Sequence, residues 1–561
     1  MSDFKEYSKK VANDFLQSIV FIDDMAFEPF HDAERTDGAL AKNIHPFSAN
    51  DVSKAFAKVG KLCAVYAPRD KSDLDYYKSV LVKADVVVLD WNLNLAERVE
   101  NVDSESDVEN EDPRGEFTLS LLDEIVEASF NDSLHLVVIY TGEIDVSGIA
   151  DKIQDHFEAK NLQLERKGDS CDLSAKNIKI LVRAKECQNY KFLPELKDKV
   201  VSYEELPDLV LNAFTVMTKG LLSNYALWSI TKIRNKTPRI LSLYSPHLDS
   251  AYLAHKLSLE DFEASKQLLR RLFGDTIVEL LESEDFDTQC WIDSWLDSFF
   301  KEINNNSGSK NALEVLRDSE KLKKVFRFKG MVKKTDQAFK EKIESVFKDD
   351  ANSWQGLKSL GKNANTISQL FDCGGDKINQ SNLDFAKLTH YKNLLEPRAT
   401  PPVLSLGVVV RLVVKKDGDD SVDKFLPKES SEYFVCIQQR CDSVRIGSEE
   451  PRRFLFLPLR KGGGKNKLNV IINEEVFSAD THSYSLKTMK FCLKSENDVN
   501  LEAEKDDEGF WCFTSIRDEK LIWCLDLKEV HALRIVHAYS SQLSRIGLDE
   551  SEWLRTFEAK E

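Results

Sequence analysis

Between residue 18 and about residue 205, short aliphatic runs alternate with stretches whose apolar residues return every three or four positions. The runs are Ile19-Val20-Phe21-Ile22, Leu62–Tyr66, Val86-Val87-Val88-Leu89, Leu136–Ile139 and Ile178–Val182. The periodic stretches between them predict helices near 50–59 and 73–83. They also predict one carrying Phe117, Leu121, Leu122, Ile125 and Val126, and another reaching about Phe157. Runs that are apolar at every position leave no face for water. Five of them alternating with helices predict a parallel sheet covered on both faces, an α/β arrangement. Two insertions break the alternation. Residues 96–114 (AERVENVDSESDVENEDPR) are acidic and too poor in apolar side chains to order themselves, so a solvated loop is expected. Residues 28–48 are polar and show no clear period.

From about 206 to 396 the pattern is helical. Val210, Phe214, Met217, Leu221, Tyr225 and Trp228 fall on one stripe. Leu268, Leu269, Leu272, Leu280 and Leu281 mark a second helix, and Trp291, Trp295 and Phe299 a third. The prolines of PRATPPV (397–403) stop helix propagation. Beyond them the period becomes that of strands, expected at 404–414, 433–438, 453–457, 468–472, 484–492, 510–514 and 521–525, with a closing helix over about 528–557. The expected organisation is a domain over 1–205 with its acidic insertion, a helical region over 206–396, and a β-rich domain over 403–561. This last is open between a sandwich and a barrel.

A chain of 561 residues is too long for a single core. A formal net charge of −18 argues against duplex nucleic acid or an anionic membrane as a general partner. The start, MSDFKEYSKKV, lacks the apolar core of a signal peptide, and the longest apolar run, Val403 to Val414, is too short to span a bilayer and carries Arg411. The ten cysteines include no CxxC pair, and several (Cys63, Cys436, Cys512, Cys524) sit inside strand-like runs. They read as buried reduced thiols of a cytoplasmic protein. The histidines are scattered without an HExxH pairing, so any metal here is expected to be hard and oxygen-bound.

Parallel α/β sheets place their ligand sites at the carboxyl ends of strands. Asp23 and Asp24 end the first run (VFIDD), Asp90 the third (VVVLDWNL), Thr141 the fourth (VVIYTG) and Lys185 the fifth (ILVRAK). Each suits a separate task in moving a phosphoryl group onto a carboxylate, where catalysis is positioning plus charge neutralisation. A nucleophilic Asp90 attacks an anion only with a dication between them. Asp23 and Asp24 would hold Mg²⁺, with the backbone carbonyl of Asn92 completing the set. The Thr141 hydroxyl and the Lys185 ammonium would each donate to a phosphoryl oxygen. Singly these signals are weak: a terminal Asp is commonly a loop cap, a Thr-Gly a turn, an Asp-Asp pair solvated. Their order along one α/β unit carries the reading, and clustered carboxylates would be costly without a cation to share.

Segment 18–205 resembles the response-regulator receiver domain, a flavodoxin-like fold. The resemblance implies Asp90 as phosphoacceptor, Asp23 and Asp24 as Mg²⁺ ligands, Thr141 and Lys185 as phosphoryl contacts, and a sensor histidine kinase as partner. The order also separates it from haloacid-dehalogenase phosphatases, which place their nucleophile in a first DxD. It departs in two places: Glu186, not proline, follows Lys185, and Val182 stands where receivers carry an aromatic switch. That predicts a receiver that stores phosphate without relaying a large shape change. The order of receiver, helical middle and β-rich tail resembles the phosphate-buffering protein of Detocs-type antiviral two-component systems. There a separate effector receiver shares the kinase. A phosphate sink is the expected function, with an output-bearing response regulator and a non-phosphorylated scaffold as alternatives. No separate catalytic motif marks the chain as an enzyme. RKGGGKNK (460–467) lacks phosphate-loop spacing and reads as a flexible hairpin turn. The cluster of Arg440, Asp442, Arg445, Arg452 and Arg453 reads as an exposed loop, with an anion or acidic partner as the alternative.

Overall fold

The structure, a computed structural model, describes residues 4–27, 47–93, 95, 115–130, 133–166, 168, 170–175, 177–186, 198–258, 262–284, 288–306, 377–392, 394, 400–413, 433–439, 442–443, 446, 450–462, 468–493 and 500–543. The acidic insertion 96–114, most of 28–48, and Arg440 and Arg445 lie outside them. By internal contacts the chain divides into two units, 1–249 with 270–356 and 250–269 with 357–561.

In the first unit the elements run α1 (Phe4–Phe15), β1 (Ser18–Ile22), α2 (Ala49–Lys58), β2 (Leu62–Tyr66), α3 (Lys71–Leu81), β3 (Val86–Leu89), α4 (Glu116–Phe130), β4 (His135–Thr141) and α5 (Val146–Ala159). Then come β5 (Glu165–Arg166), β6 (Asp172–Ser174), β7 (Ile178–Lys185), β8 (Val200–Val201), α6 (Leu206–Met217) and α7 (Leu221–Leu243). Of the helices that follow, α8 (Asp249–Ser258) falls to the second unit apart from Asp249, α9 (Phe262–Ser283) is divided between the units after residue 269, and α10 (Thr288–Asn306) belongs to the first. Five parallel strands in the order β2-β1-β3-β4-β7 form the centre of the sheet, the flavodoxin-like order. Three short strands extend the expected five. β6 runs antiparallel to β7 and carries β5, while β8 lies parallel to the last two residues of β7.

The faces follow the two-residue period of a strand. Val20, Ile22, Val87, Leu89, Val137, Ile139, Ile180 and Val182 point to the core shared with α3, α4 and α5. Ile19, Phe21, Val86, Val88, Leu136, Val138, Tyr140 and Leu181 point to the core shared with α1, α2 and α6. α6, on the far side of the expected boundary at 205, thus buries Leu206, Val210 and Phe214 in the core of the parallel sheet.

The stripe expected from Val210 to Trp228 is broken. α6 ends at Met217 and α7 starts after Gly220, so the helical phase is reset. α7 turns Asn224, Leu227 and Thr231 inward and leaves Tyr225 exposed. Asn224 is tolerated there because its amide donates to Gly220 O at 2.7 Å, Ser8 Oγ at 3.1 Å and Thr218 O at 3.2 Å. At the amino end of the sheet, Asp85 accepts from Gln17 N at 2.9 Å, Ser18 N at 3.0 Å and Arg234 Nη2 at 3.0 Å, which fastens α7 to β1 and β3.

The second unit contains α11 (Lys377–His390), β9 (Val408–Val413), β10 (Tyr433–Cys436), β11 (Arg452–Lys461), β12 (Asn469–Ile472), β13 (Glu475–Ala479), β14 (Lys487–Phe491), β15 (Glu504–Lys505), β16 (Trp511–Thr514), β17 (Lys520–Asp526) and α12 (Glu529–Leu543). They build one antiparallel sheet in the order β12-β13-β11-β10-β9-β17-β16-β15. β11 branches it, giving its first half to β14 and its last residues to β13. One face packs Val409, Val435, Leu457 and Leu459 with α11 and α12. The other packs Phe434, Phe454, Phe456, Phe491 and Phe513. The register shift between Trp523 and Leu525 is a bulge that moves Leu525 to the helix-covered face while Leu521 and Trp523 stay on the other. The strands flanking 460–467, β11 and β12, do not pair with each other, because β13 lies between them. Residues 463–467, the centre of the expected hairpin turn, lie outside the described residues.

The branch at β11 and β13 is tied by Asp480, whose buried carboxylate accepts from Arg460 Nε at 2.8 Å and from His482 Nδ1 at 2.6 Å. Burial alone would raise its pKa, but these bonds hold it down at about 2. A depressed carboxyl pKa adds stability that is present above the unfolded value and lost as pH falls through the folded one. Asp480→Asn is expected to lower unfolding stability by about 1 kcal/mol at pH 7, a modest figure because Arg460 and His482 are exposed. In denaturant titrations the deficit should shrink as pH falls from 4 towards 2.

Candidate functional site

The site sits where the carboxyl ends of β1, β3 and β7 meet. Asp23 follows β1 directly, its amide bonded to Tyr66 O of β2 at 3.1 Å. Asp90 follows β3, its amide bonded to Ile22 O of β1 at 2.9 Å. Lys185 is the last residue of β7. Sheet pairing thus fixes all three backbones before any side chain acts. The Lys185 Nζ donates to Asp23 Oδ2 at 2.6 Å and to Asp90 Oδ1 at 2.7 Å. These three side chains are almost wholly enclosed, 4%, 9% and 7% exposed for Asp23, Asp90 and Lys185.

Burial sets the electrostatics. It raises the Asp90 pKa, against the pull of Lys185, and raises that of Asp23 with help from Asp90. For Lys185, burial works to lower the pKa, but the two carboxylates outweigh it and hold the ammonium charged. One ammonium between two carboxylates leaves an excess of negative charge. Asp24, half-buried, adds to it and also pushes the Asp90 pKa up.

The other expected residues take more particular places. Asn92 N donates to Asp90 Oδ2 at 3.0 Å, so its amide orients the carboxylate. Thr141 is fully buried at the end of β4, level with Ala184 of β7. Its hydroxyl accepts from Glu143 N at 3.1 Å and, among the described residues, makes no hydrogen bond to Asp90 or Lys185. The sheet therefore brings Asp23, Asp90 and Lys185 into contact, with Thr141 one strand away.

Several residues that shape the site escaped the sequence reading. Thr118 of α4 donates its hydroxyl to Asp90 O at 2.7 Å and reaches Trp91 O at 3.1 Å, locking the turn behind the acid. Gly115 has φ +94°, and a Cβ there would meet the buried Trp91 ring at 2.2 Å, so only glycine lets α4 start against that ring. Phe47 and Tyr140 lie beside the Lys185 ammonium. Gly115 alone had a signal in the sequence, as a glycine just before a helix.

Residues 15–189 match the family model described as the response receiver domain. The match spans α/β elements from the end of α1 through β7, and so covers all the strand ends described above. No curated protein and no solved structure matches the chain. The whole-chain resemblance to a Detocs-type buffering protein therefore gains no support from relatives.

The donors suit a magnesium ion in type and charge. They are carboxylate oxygens, and a hard dication that keeps several waters needs few of them. Among the described residues no three His, Cys, Asp or Glu side chains stand together as a metal site, and Lys185 occupies the space between Asp23 and Asp90. Two buried carboxylates left with no cation would cost about 3 kcal/mol or more. Lys185→Ala is accordingly expected to lose at least that much stability in EDTA at pH 8, measured by thermal or denaturant unfolding. Two changes should restore it: Mg²⁺, and acidification towards the raised carboxyl pKa values. A variant indifferent to both would mean that the ammonium does not balance these acids.

Proposed function

We propose that this protein accepts a phosphoryl group from a sensor histidine kinase onto Asp90, within a two-component phosphorelay, and serves as a phosphate sink. The observation that carries the reading is the buried Asp23–Lys185–Asp90 contact at three strand ends of a receiver domain. A carboxylate oxygen of Asp90 attacks the phosphorus of a phosphohistidine. The P–N bond breaks, its electron pair stays on the imidazole nitrogen, and an acyl phosphate results. Mg²⁺ would be held by Asp23, Asp24, Asp90 and the Asn92 carbonyl and would supply the positive charge that lets two anions meet. Lys185 turns its ammonium from the carboxylates to a phosphoryl oxygen, and Thr141 donates its hydroxyl to another. The Asn92 amide keeps the attacking carboxylate aligned.

The sink reading is supported by Val182, an aliphatic residue in the core under α4 and α5 where receivers place an aromatic switch. It is supported too by the lack of a separate catalytic motif in the sequence. An antiviral setting, with a second effector receiver on the same kinase, rests on the resemblance in domain order alone. No helix of the described residues is long and apolar enough to cross a membrane.

With Mg²⁺ and acetyl phosphate, wild-type protein should gain one phosphoryl group, seen by intact mass and on a phosphate-affinity gel, while Asp90→Asn gains none. With a phosphorylated histidine kinase and a second receiver present, added wild-type protein should lower labelling of that receiver, and Asp90→Asn should leave it unchanged. Labelling of Asp90→Asn equal to wild type would remove the acceptor role. Undiminished labelling of the second receiver would remove the sink.

A further inference from the structure

Besides the two carboxylates, the Lys185 ammonium meets aromatic rings. Its Nζ lies 5.2 Å from the centroid of Phe47 and 5.9 Å from that of Tyr140, both within the range of cation–π attraction. A third ring joins these two: Tyr203 stands edge-on to Phe47 at 5.8 Å and 86°, and to Tyr140 at 6.0 Å and 63°. Each ring is anchored to a different element. The Tyr140 hydroxyl donates to Val201 O of β8 at 2.7 Å. The Tyr203 hydroxyl accepts from the amide of Ser48, the N-cap of α2, at 3.2 Å. Phe47 packs on Phe21 of β1 at 6.0 Å. Tyr203 itself sits three residues before α6, whose Leu206, Val210 and Phe214 share the core that holds Phe47 and Tyr140.

From this geometry we infer that Phe47, Tyr140 and Tyr203 are positioning residues for Lys185, and that Tyr203 passes a shift of the ammonium to the starts of α2 and α6. The inference deepens the phosphoacceptor reading and rests on it. A purely packing role would ask only for apolar bulk, yet here ring faces are turned to a buried cation and two hydroxyls are spent on backbone bonds to α2 and β8. When Asp90 carries a phosphoryl group, its carboxylate charge is replaced by phosphoryl oxygens further from the strand end. The ammonium follows them, its distances to both rings change, and Tyr203, wedged against both, must reseat. This route runs through the α1, α2 and α6 face of the sheet, opposite the face on which Val182 lies. The response is confined to helices of the same unit, which a phosphate sink can afford.

Amide hydrogen exchange of the full chain, with Mg²⁺ and with or without beryllofluoride, tests the inference. Wild-type protein is expected to change protection at 48–52 and 206–217 when beryllofluoride binds. Tyr203→Leu should still bind beryllofluoride, reported by Trp91 fluorescence, and still take a phosphoryl group on Asp90, but lose the change at 206–217. Tyr203→Phe, which keeps the ring and loses the bond to Ser48, should retain the change at 206–217 and lose that at 48–52; it carries the test should the leucine variant not fold. A wild-type chain that binds beryllofluoride without any change at 206–217 overturns the inference, as do variants that respond like wild type. Failure of wild type to bind beryllofluoride or gain phosphoryl mass is a different result: it sinks the acceptor reading, and this inference with it.

Discussion

One lysine ammonium held between two buried carboxylates is the constraint on which the site depends. Asp23 and Asp90 both bond Lys185 Nζ, so their oxygens lie no more than two hydrogen-bond lengths apart. Two like charges about 5 Å apart repel by roughly 3 kcal/mol at an effective dielectric near 20. Each carboxylate also loses hydration on burial. The ammonium, 2.6 and 2.7 Å from the two acids, reverses the sign of the balance, and burial that would discharge Lys185 alone cannot do so beside two acids. The arrangement is a matter of register and not of side-chain preference: β1 and β3 end level with one another, at Ile22 and Leu89, and β7 runs three residues past Val182, the residue on that level, to end at Lys185.

That dependence explains which parts of the site were legible in the sequence. A strand buried on both faces shows itself as an unbroken aliphatic run, so its last residue can be counted off directly, and Asp23, Asp90 and Lys185 were found that way. Thr141 was located by the same counting, but its hydroxyl is engaged by Glu143 N, a local turn bond that no strand pattern predicts. Thr118, Gly115, Phe47 and Tyr203 come from helix starts and connections, where neither period applies. Their roles follow from what they touch: the Asp90 and Trp91 carbonyls, the Trp91 ring, the Lys185 ammonium and the Ser48 amide.

The same division holds for the fold. Strands of four or more residues with strong β-branched character were visible. β5, β6 and β8 were not, since strands of two or three residues pair only because a neighbour offers them an edge, β7 to β6 and to Val200–Val201, and β6 in turn to Glu165–Arg166. α1 was invisible because its buried face is Phe4, Ser8 and Ala12, small or polar at two of three positions. Small residues let α7 approach, and Ser8 meets Asn224 there. In the second unit, β13 was missed because EVFSA alternates weakly, and the bulge in β17 hides a change of face inside what reads as one continuous run.

In the proposed function the lysine would therefore be more than a contact for an incoming phosphoryl group. A cation that already satisfies two acids has to leave at least one of them to do anything else, and the site loses more by that departure than any surface pair would. Whatever replaces it must bring positive charge to Asp23 and Asp90 together, which a second monovalent side chain does poorly and a hard dication does well. Under the proposed function, acceptance of a phosphoryl group and release of Lys185 would be one event seen from two sides. The rings of Phe47 and Tyr140, 5.2 and 5.9 Å from that ammonium, would be placed to register it.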